Sequence, residues 1–458
     1  MSFLPNLLHL FYLISLFSLS SAYTTTLSLS PTAASPSLAN PCQRLAHLAT
    51  ASSTRAHHLK RPKSNISATK LPLFPRGYGG YSISLSFGTP PQTSSFVMDT
   101  GSSLVWFPCT SRYACNSCNF ADVNSSSIST FIPKSSSSSK IVGCRNPKCK
   151  WMFPNVQCRD CERNSNSSSC NQSCPPYIIQ YGSGSTTGLL LSESLVFPTK
   201  SVDNFVVGCS LFSSRQPSGI AGFGRGPESL PVQMGLKMFS YCLVSHRFDG
   251  SPVSSDLVLD SGGAAKTNGA KIMYTPFRKN PASSILAFQD YYYVTLRKIT
   301  VGGVNVKAPY RFLVADSDGN GGTIVDSGTT FTYMEGQVFE LVAAEFEKQI
   351  GKSYSRAGAV ERESGLRPCY NISGEKLIDL PQLTFHFKGG AKMALPLADY
   401  FSFLEELVIC MTLVTSKSME GGVGPGPAII LGNYQQQNFY MEYDLEKERL
   451  GFRSQLCK

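Results

Sequence analysis

The chain has 458 residues, of which 42% are apolar and only 16% charged, with 38 Gly and 28 Pro. That length allows two or three domains of about 150 residues, and the composition excludes a dominantly disordered chain or a helical bundle. The net charge of +11 does not mark a nucleic-acid surface. No Asp or Glu precedes Asp99, while Arg44, Arg55, Lys60, Arg61, Lys63 and Lys70 gather the excess into one N-terminal segment.

The apolar run from Leu4 to Leu19 ends at Ser20-Ser21-Ala22, small residues that a signal peptidase accepts, so residues 1–22 read as a signal peptide. The run is short for a membrane anchor, although no basic residue precedes it. Residues 23–75 turn from Ser/Thr/Pro-rich to basic and read as a pro-segment; a plain disordered extension has the same composition. From Tyr78 the texture becomes short alternating strands, as in Tyr81-Ser82-Ile83-Ser84-Leu85-Ser86-Phe87. Strand-like runs recur at Phe96–Met98, Tyr177–Gln180, Ser194–Phe197, Phe205–Val207, Tyr291–Leu296, Thr323–Val325, Leu383–Phe387 and Met441–Tyr443. One stretch, 336–350, carries a helical stripe of Val338, Phe339, Leu341, Val342, Phe346 and Ile350. The fold class is mainly β. No later stretch reads as a membrane span, and the C-terminus lacks a hydrophobic anchor signal. The loop Gly222–Pro227 lacks the Gly-Lys-Ser/Thr of a phosphate loop.

Fifteen cysteines fit an oxidising compartment. Cys42 lies in the basic segment, and fourteen begin at Cys109. The spacings Cys115/Cys118 and Cys158/Cys161 would suit zinc inside a cell, but a secreted chain favours disulfides. Nine cysteines fall between Cys109 and Cys174, an odd number, so full pairing sends at least one bridge beyond that cluster. Sequons stand at Asn65, Asn124, Asn166, Asn171 and Asn371.

The chemistry lies in a repeat. Val97-Met98-Asp99-Thr100-Gly101-Ser102-Ser103 is matched by Ile324-Val325-Asp326-Ser327-Gly328-Thr329-Thr330. Each is followed downstream by two apolar residues and a glycine, within Gly219-Ile220-Ala221-Gly222 and Ile429-Ile430-Leu431-Gly432. Two related lobes facing across a pseudo-twofold axis would bring both aspartates together. Carboxylates about 3 Å apart share one proton and titrate as a unit. One then takes a proton from a water held between them while the other protonates a substrate carbonyl, with no metal or cofactor. The glycines permit tight turns at the carboxylates, and Ser102 and Thr329 are spaced to bond their outer oxygens.

These segments, with Leu104-Val105-Trp106 and the flap-like Gln180-Tyr181-Gly182-Ser183-Gly184-Ser185, resemble pepsin-like aspartic endopeptidases, and among them the nepenthesin-type plant enzymes. The resemblance covers about Tyr78 to Cys457 and implies a bilobal, mostly β fold with the active cleft between lobes, at 78–265 and 266–458. It implies a hairpin flap of Tyr181, Gly182, Ser183 and Gly184, with Trp106 packed near Tyr181. It further implies the pairs Cys109–Cys115, Cys118–Cys209, Cys242–Cys457 and Cys369–Cys410. Cys144, Cys149, Cys158, Cys161, Cys170 and Cys174 would pair among themselves in an order left open. The expected protein is a secreted zymogen of an aspartic endopeptidase, in the extracellular space, cell wall or vacuole. It would act on polypeptides in acid as a monomer, be blocked by pepstatin-type inhibitors, bind no nucleic acid and carry no membrane anchor. At neutral pH the basic segment would pair with the acidic cleft, and cleavage between Leu71 and Tyr78 would release it in acid. The alternative is a catalytically silent relative of the xylanase-inhibitor or seed-globulin type. A glycosidase explains neither repeat and holds its carboxyls at least about 5 Å apart.

Overall fold

The computed structural model describes residues 24–31, positions 45, 46, 48–50, 52, 53, 55 and 56, and residues 79–118, 128–159 and 171–458. Within the last range, 183, 199, 217, 247–253, 261–270, 284, 352, 375–377, 406 and 417–424 are not described. The expected signal peptide, most of the basic stretch with its expected cleavage region, Ser183, Cys42, Cys161, Cys170, Asn65, Asn124 and Asn166 therefore lie outside the described residues. Asn171 and Asn371 are exposed.

The repeat folds as a repeat. The strand Gln92–Asp99 runs parallel to Gly219–Gly222, with Gly222 opposite Asp99, and Ile220 in turn faces Trp106 of the antiparallel strand Trp106–Pro108. In the second half Thr323–Val325 runs parallel to Ile429–Leu431, whose Ile430 faces Tyr333 of the antiparallel strand Thr332–Met334. The downstream apolar segments are thus the parallel partners of the aspartate strands. All four residues of Gly219–Gly222 and all three of Ile429–Leu431 are buried. That explains their continuous apolar runs, since a strand covered on both faces has no polar side to show.

A shared platform joins the halves. Met273–Pro276, Arg449–Ser454, Phe439–Asp444, Met238–Cys242 and Ser255–Asp260 pair side by side in that order. Its aromatic face stacks Phe239 on Tyr443 at 4.4 Å and packs Tyr292 edge-on against Tyr443 at 4.8 Å. Each fully buried aromatic contributes roughly 1.5–3 kcal/mol of transfer free energy. At the platform's edge lies a strand that the composition of residues 23–75 did not suggest. Thr24–Pro31 pairs antiparallel with Ser255–Asp260, and its last two residues pair with Tyr81 and Ser82. The alternation Thr24-Thr25-Thr26-Leu27-Ser28-Leu29 was the available signal. Helix Gly336–Ile350 buries Val338, Phe339, Val342, Phe346 and Ile350 of the stripe read from sequence, together with Ala343, while Leu341 is only partly buried.

Two of the expected disulfides are corrected. Cys109 bridges Cys209, with a Cα–Cα distance of 5.0 Å, and Cys115 bridges Cys118. Register is the reason. Phe107 lies opposite Cys209, which brings Cys109 within reach, whereas Cys115 lies further along the same strand, opposite Ser213. The bridge that leaves the nine-cysteine cluster starts at Cys109. The other described bridges are Cys144–Cys158, Cys149–Cys174, Cys242–Cys457 and Cys369–Cys410.

Asp399, at the end of the turn Leu397–Asp399, is fully buried, and neither carboxyl oxygen has a hydrogen-bond partner among the described residues. Burial pushes this carboxyl up to about 8. The acid is therefore neutral in the fold at acid pH, and its contribution is lost as pH rises through that value. Asp399→Asn should reduce the fall in melting temperature between about pH 4 and 8; calorimetry of both forms showing the same fall would contradict this.

Candidate active site

Each aspartate is held by the loop that follows it. Asp99 Oδ1 accepts from the Gly101 N–H at 2.9 Å and Oδ2 from the Ser102 hydroxyl at 2.5 Å. Asp326 Oδ1 accepts from the Gly328 N–H at 2.8 Å and Oδ2 from the Thr329 hydroxyl at 2.6 Å. Both aspartates are almost fully buried. Gly101 and Gly328 are glycine for a different reason from the expected turn, since neither has a positive φ. A Cβ on Gly328 would stand 2.4 Å from Asp99 Oδ1, and one on Gly101 would stand 2.7 Å from Asp326 Oδ1. The missing side chains let each loop approach the other's carboxylate.

The residues between aspartate and glycine clasp the halves together. The Thr100 N–H donates to Ser327 Oγ at 3.1 Å, and the Ser327 N–H donates to Thr100 Oγ1 at 2.9 Å. Each hydroxyl then donates to a backbone carbonyl of the opposite strand, Thr100 to Val325 at 3.2 Å and Ser327 to Met98 at 3.0 Å. All four bonds are buried, so each group would lose its partner in a dry site if the halves separated, at about 1–3 kcal/mol per group. Sequence reasoning passed over these hydroxyls, although their recurrence in both triplets was the signal.

Between the carboxylates stands Arg55. Its Nη2 donates to Asp99 Oδ1 at 2.6 Å and to Asp326 Oδ1 at 3.3 Å, and its Nε donates to Asp326 Oδ2 at 2.7 Å. Burial and Asp326 raise Asp99 to about 6 against the opposing pull of Arg55. At Asp326 burial acts in the same direction, but the charge and hydrogen bonds of Arg55, with Thr329 and Gly328, outweigh it and hold the carboxyl below its usual range. Burial disfavours the Arg55 cation, yet the two aspartates hold it charged. A small cavity of about 50 Å³ remains beside the guanidinium, lined by residues including Val97, Gln216 and Ile220. The basic segment had been read as a whole; its composition gave no means of singling out Arg55.

Arg55 is carried by helical residues that sink into the second half. Leu45, Leu48, Ala49 and Ala56 are buried in one cluster with Tyr291, Phe331, Val414 and Tyr434. Ser52 Oγ accepts from the Phe331 N–H at 2.7 Å. Positions 45, 48, 49, 52, 55 and 56 recur on one helical face.

Residues 81–257 match the family described as xylanase inhibitor N-terminal, and residues 291–454 that described as xylanase inhibitor C-terminal. A probable aspartyl protease of Arabidopsis thaliana is 34% identical over 82% of this chain and 82% of its own length. Nepenthesin-2, an aspartic proteinase of Nepenthes gracilis, is 32% identical over 83% of this chain and 78% of its own. The chain belongs to the plant pepsin-like aspartyl protease family. Its fold is that of the crystal structure of soybean basic 7S globulin, with a TM-score of 0.61 at 18% identity, covering 94% of this chain and 97% of the globulin.

Over the aspartates of this family member lies the hairpin of Tyr177–Tyr181 and Gly184–Phe197, with Tyr181 opposite Gly184. A Cβ on Gly182 would stand 1.9 Å from the Cα of Arg55, so the hairpin tip rests on the backbone of the inserted segment. Trp106 is fully buried, and its Nε1–H donates to the Tyr181 hydroxyl at 2.8 Å, with ring centroids 6.3 Å apart. Trp106→Phe keeps an aromatic ring but removes this donor from a buried hydroxyl. We expect thermal unfolding to show a loss of about 1–3 kcal/mol; a variant as stable as the parent would show that this bond contributes nothing net.

Proposed function

We propose that this chain is the secreted, inactive precursor of an aspartic endopeptidase that hydrolyses peptide bonds in acid through a water held between Asp99 and Asp326. One observation carries the reading: a single nitrogen, Arg55 Nη2, lies within hydrogen-bond distance of both inner carboxylate oxygens, at 2.6 and 3.3 Å. The carboxylates converge on a space one small polar atom wide. With the guanidinium gone, that space suits a water molecule.

With one proton on the pair, the ionised carboxylate takes a proton from the water as its oxygen bonds to the amide carbon, and the other gives its proton to the carbonyl oxygen. The resulting diol collapses, the C–N bond breaks and the amine leaves with a proton returned through the pair. Ser102, Thr329, Gly101 and Gly328 hold the carboxylates in place. Tyr181 and its hairpin cover the substrate and exclude water.

In the precursor Arg55 occupies that space and the hairpin closes on it. Arg55 stays charged across the working range, so only the carboxylates can end the contact. Asp99, raised to about 6, takes a proton first and weakens its bond to Nη2. Asp326, held low, keeps the contact with Nε until the pH falls further. The contact is therefore complete above about pH 6 and is lost progressively below it. Removing one partner of a buried ion pair costs about 3–5 kcal/mol, here charged to the docking of the segment.

Arg55→Ala in the full chain should hydrolyse a peptide near pH 5–6 without the lag that the parent needs acid exposure to overcome. An equal lag in both would overturn the plug. Hydrolysis of a denatured protein at acid pH, lost in Asp99→Asn and with pepstatin, tests the carboxylate pair itself. The family description also supports a second reading, a silent binding protein like the xylanase inhibitors. A folded, processed chain inactive at every pH would favour that reading.

A further inference from the structure

Release of the segment that carries Arg55 would uncover more than the carboxylates. Leu45, Leu48 and Ala49, spaced at three and four residues along one helical face, are buried in a single cluster with side chains of the second half. Those side chains include Phe331, Leu404, Val408, Val414 and Tyr434. Part of this seat is aromatic, with the rings of Phe331 and Tyr434 meeting edge-on at 5.1 Å. The paired strands Phe401–Glu405 and Val408–Met411 supply Leu404 and Val408, and carry Phe403 and Leu407 exposed beside them.

The seat has polar anchors as well. The Phe331 N–H donates to Ser52 Oγ at 2.7 Å, and the Ser53 hydroxyl donates to the Thr415 carbonyl at 3.4 Å. Thr415 Oγ1 is itself buried without a hydrogen-bond partner among the described residues. A Cβ on Gly79 would stand 2.2 Å from Thr330 Cγ2 and 2.8 Å from Leu48 Cδ2, so glycine lets the segment and the second half close on the chain that leads into Tyr81–Phe87. Arg55 follows Ser52 within one helical turn, so the seat adjoins the carboxylate pair directly.

We propose that in the processed enzyme this seat docks substrate: it takes a helical segment flanking the scissile bond, with apolar side chains at i, i+3 and i+4 and a hydrogen-bond acceptor at i+7. The proposal rests on the reading of Asp99 and Asp326 as the hydrolytic pair. The chemistry of the occupant is that of the segment now seated there, in which Leu45, Leu48, Ala49 and Ser52 hold those four positions. Once that segment leaves, apolar side chains face water and the Phe331 N–H loses its partner, and both are satisfied when the seat is refilled. Apolar area supplies the attraction. The acceptor at i+7 fixes the register, and with it the peptide bond presented to the carboxylates. Contacts made this far from the reacting atoms are the same before and during the reaction, so they lower KM and leave kcat unmoved.

The test compares hydrolysis, by the acid-processed chain, of a short peptide and of the same peptide extended by the sequence of residues 44–54. The extension is placed at the N-terminus in one substrate and at the C-terminus in another, and it omits Arg55 and so the plug. We expect one extended substrate to exceed the short peptide about tenfold or more in kcat/KM, through a lower KM at unchanged kcat. Leu45→Ser with Leu48→Ser in the extension should remove the gain, and Val414→Asn in the enzyme should bring the ratio of extended to short substrate down toward one. Equal kcat/KM for the short and both extended peptides overturns the proposal, and so does a gain that survives both serines. If Val414→Asn fails to fold, the substrate series decides alone. A processed chain that dimerises and is dispersed by free peptide 44–54 holds its own copy in the seat, which also overturns the proposal. No hydrolysis of the short peptide at any pH overturns the hydrolytic reading instead. The seat is then decided by fluorescence anisotropy, where equal binding of labelled peptide 44–54 and its doubly substituted form overturns it too.

Discussion

Two carboxylates forced toward one another in a buried site are the constraint on which the rest of this structure depends. Neither can ionise freely beside the other, and neither can be moved apart, because the loops that carry them are bonded across the halves through Thr100 and Ser327. The absent side chains of Gly101 and Gly328, the hydroxyls of Ser102 and Thr329 and the parallel strands behind each loop all serve that approach. In the form described here the repulsion is offset by one guanidinium, whose planar fork reaches both acids at once as an ammonium would not.

The segment that carries this guanidinium is attached at three levels. Thr24–Pro31 extends the platform as a sheet strand, the apolar face at Leu45, Leu48 and Ala49 enters the second half, and Arg55 ends between the aspartates. The first two attachments rest on backbone pairing and apolar burial, which change little with pH. The third rests on charge alone. In the proposed precursor, acid therefore acts at the tip of the segment first, and the rest stays docked until the chain is cut.

Several of the buried acids push in one direction. Asp99, Glu228, Asp290 and Asp399 are all raised, chiefly by burial. Away from Arg55 such groups sit comfortably in the fold only while protonated, so Glu228, Asp290 and Asp399 make the fold firmer in acid than near neutrality, whereas Asp99 bonds Arg55 once it is ionised. Asp326 is the exception because Arg55 lies against it.

Much of the fold and site was legible because the signals were local or repeated. The Asp-Thr/Ser-Gly triplets marked the carboxylates, the alternation of Tyr81–Phe87 marked the strands, and the stripe in 336–350 marked the helix. The disulfides at Cys109 and Cys115 were misassigned because pairing depends on strand register, which spacing along the chain does not encode. Nothing in a run of six basic residues distinguishes Arg55. The sequence by itself determined which groups the proposed hydrolysis uses and which strands carry them. Which groups meet, and so what charge each bears, was decided by tertiary structure, because electrostatic and bridging interactions depend on distance through space and on the exclusion of water.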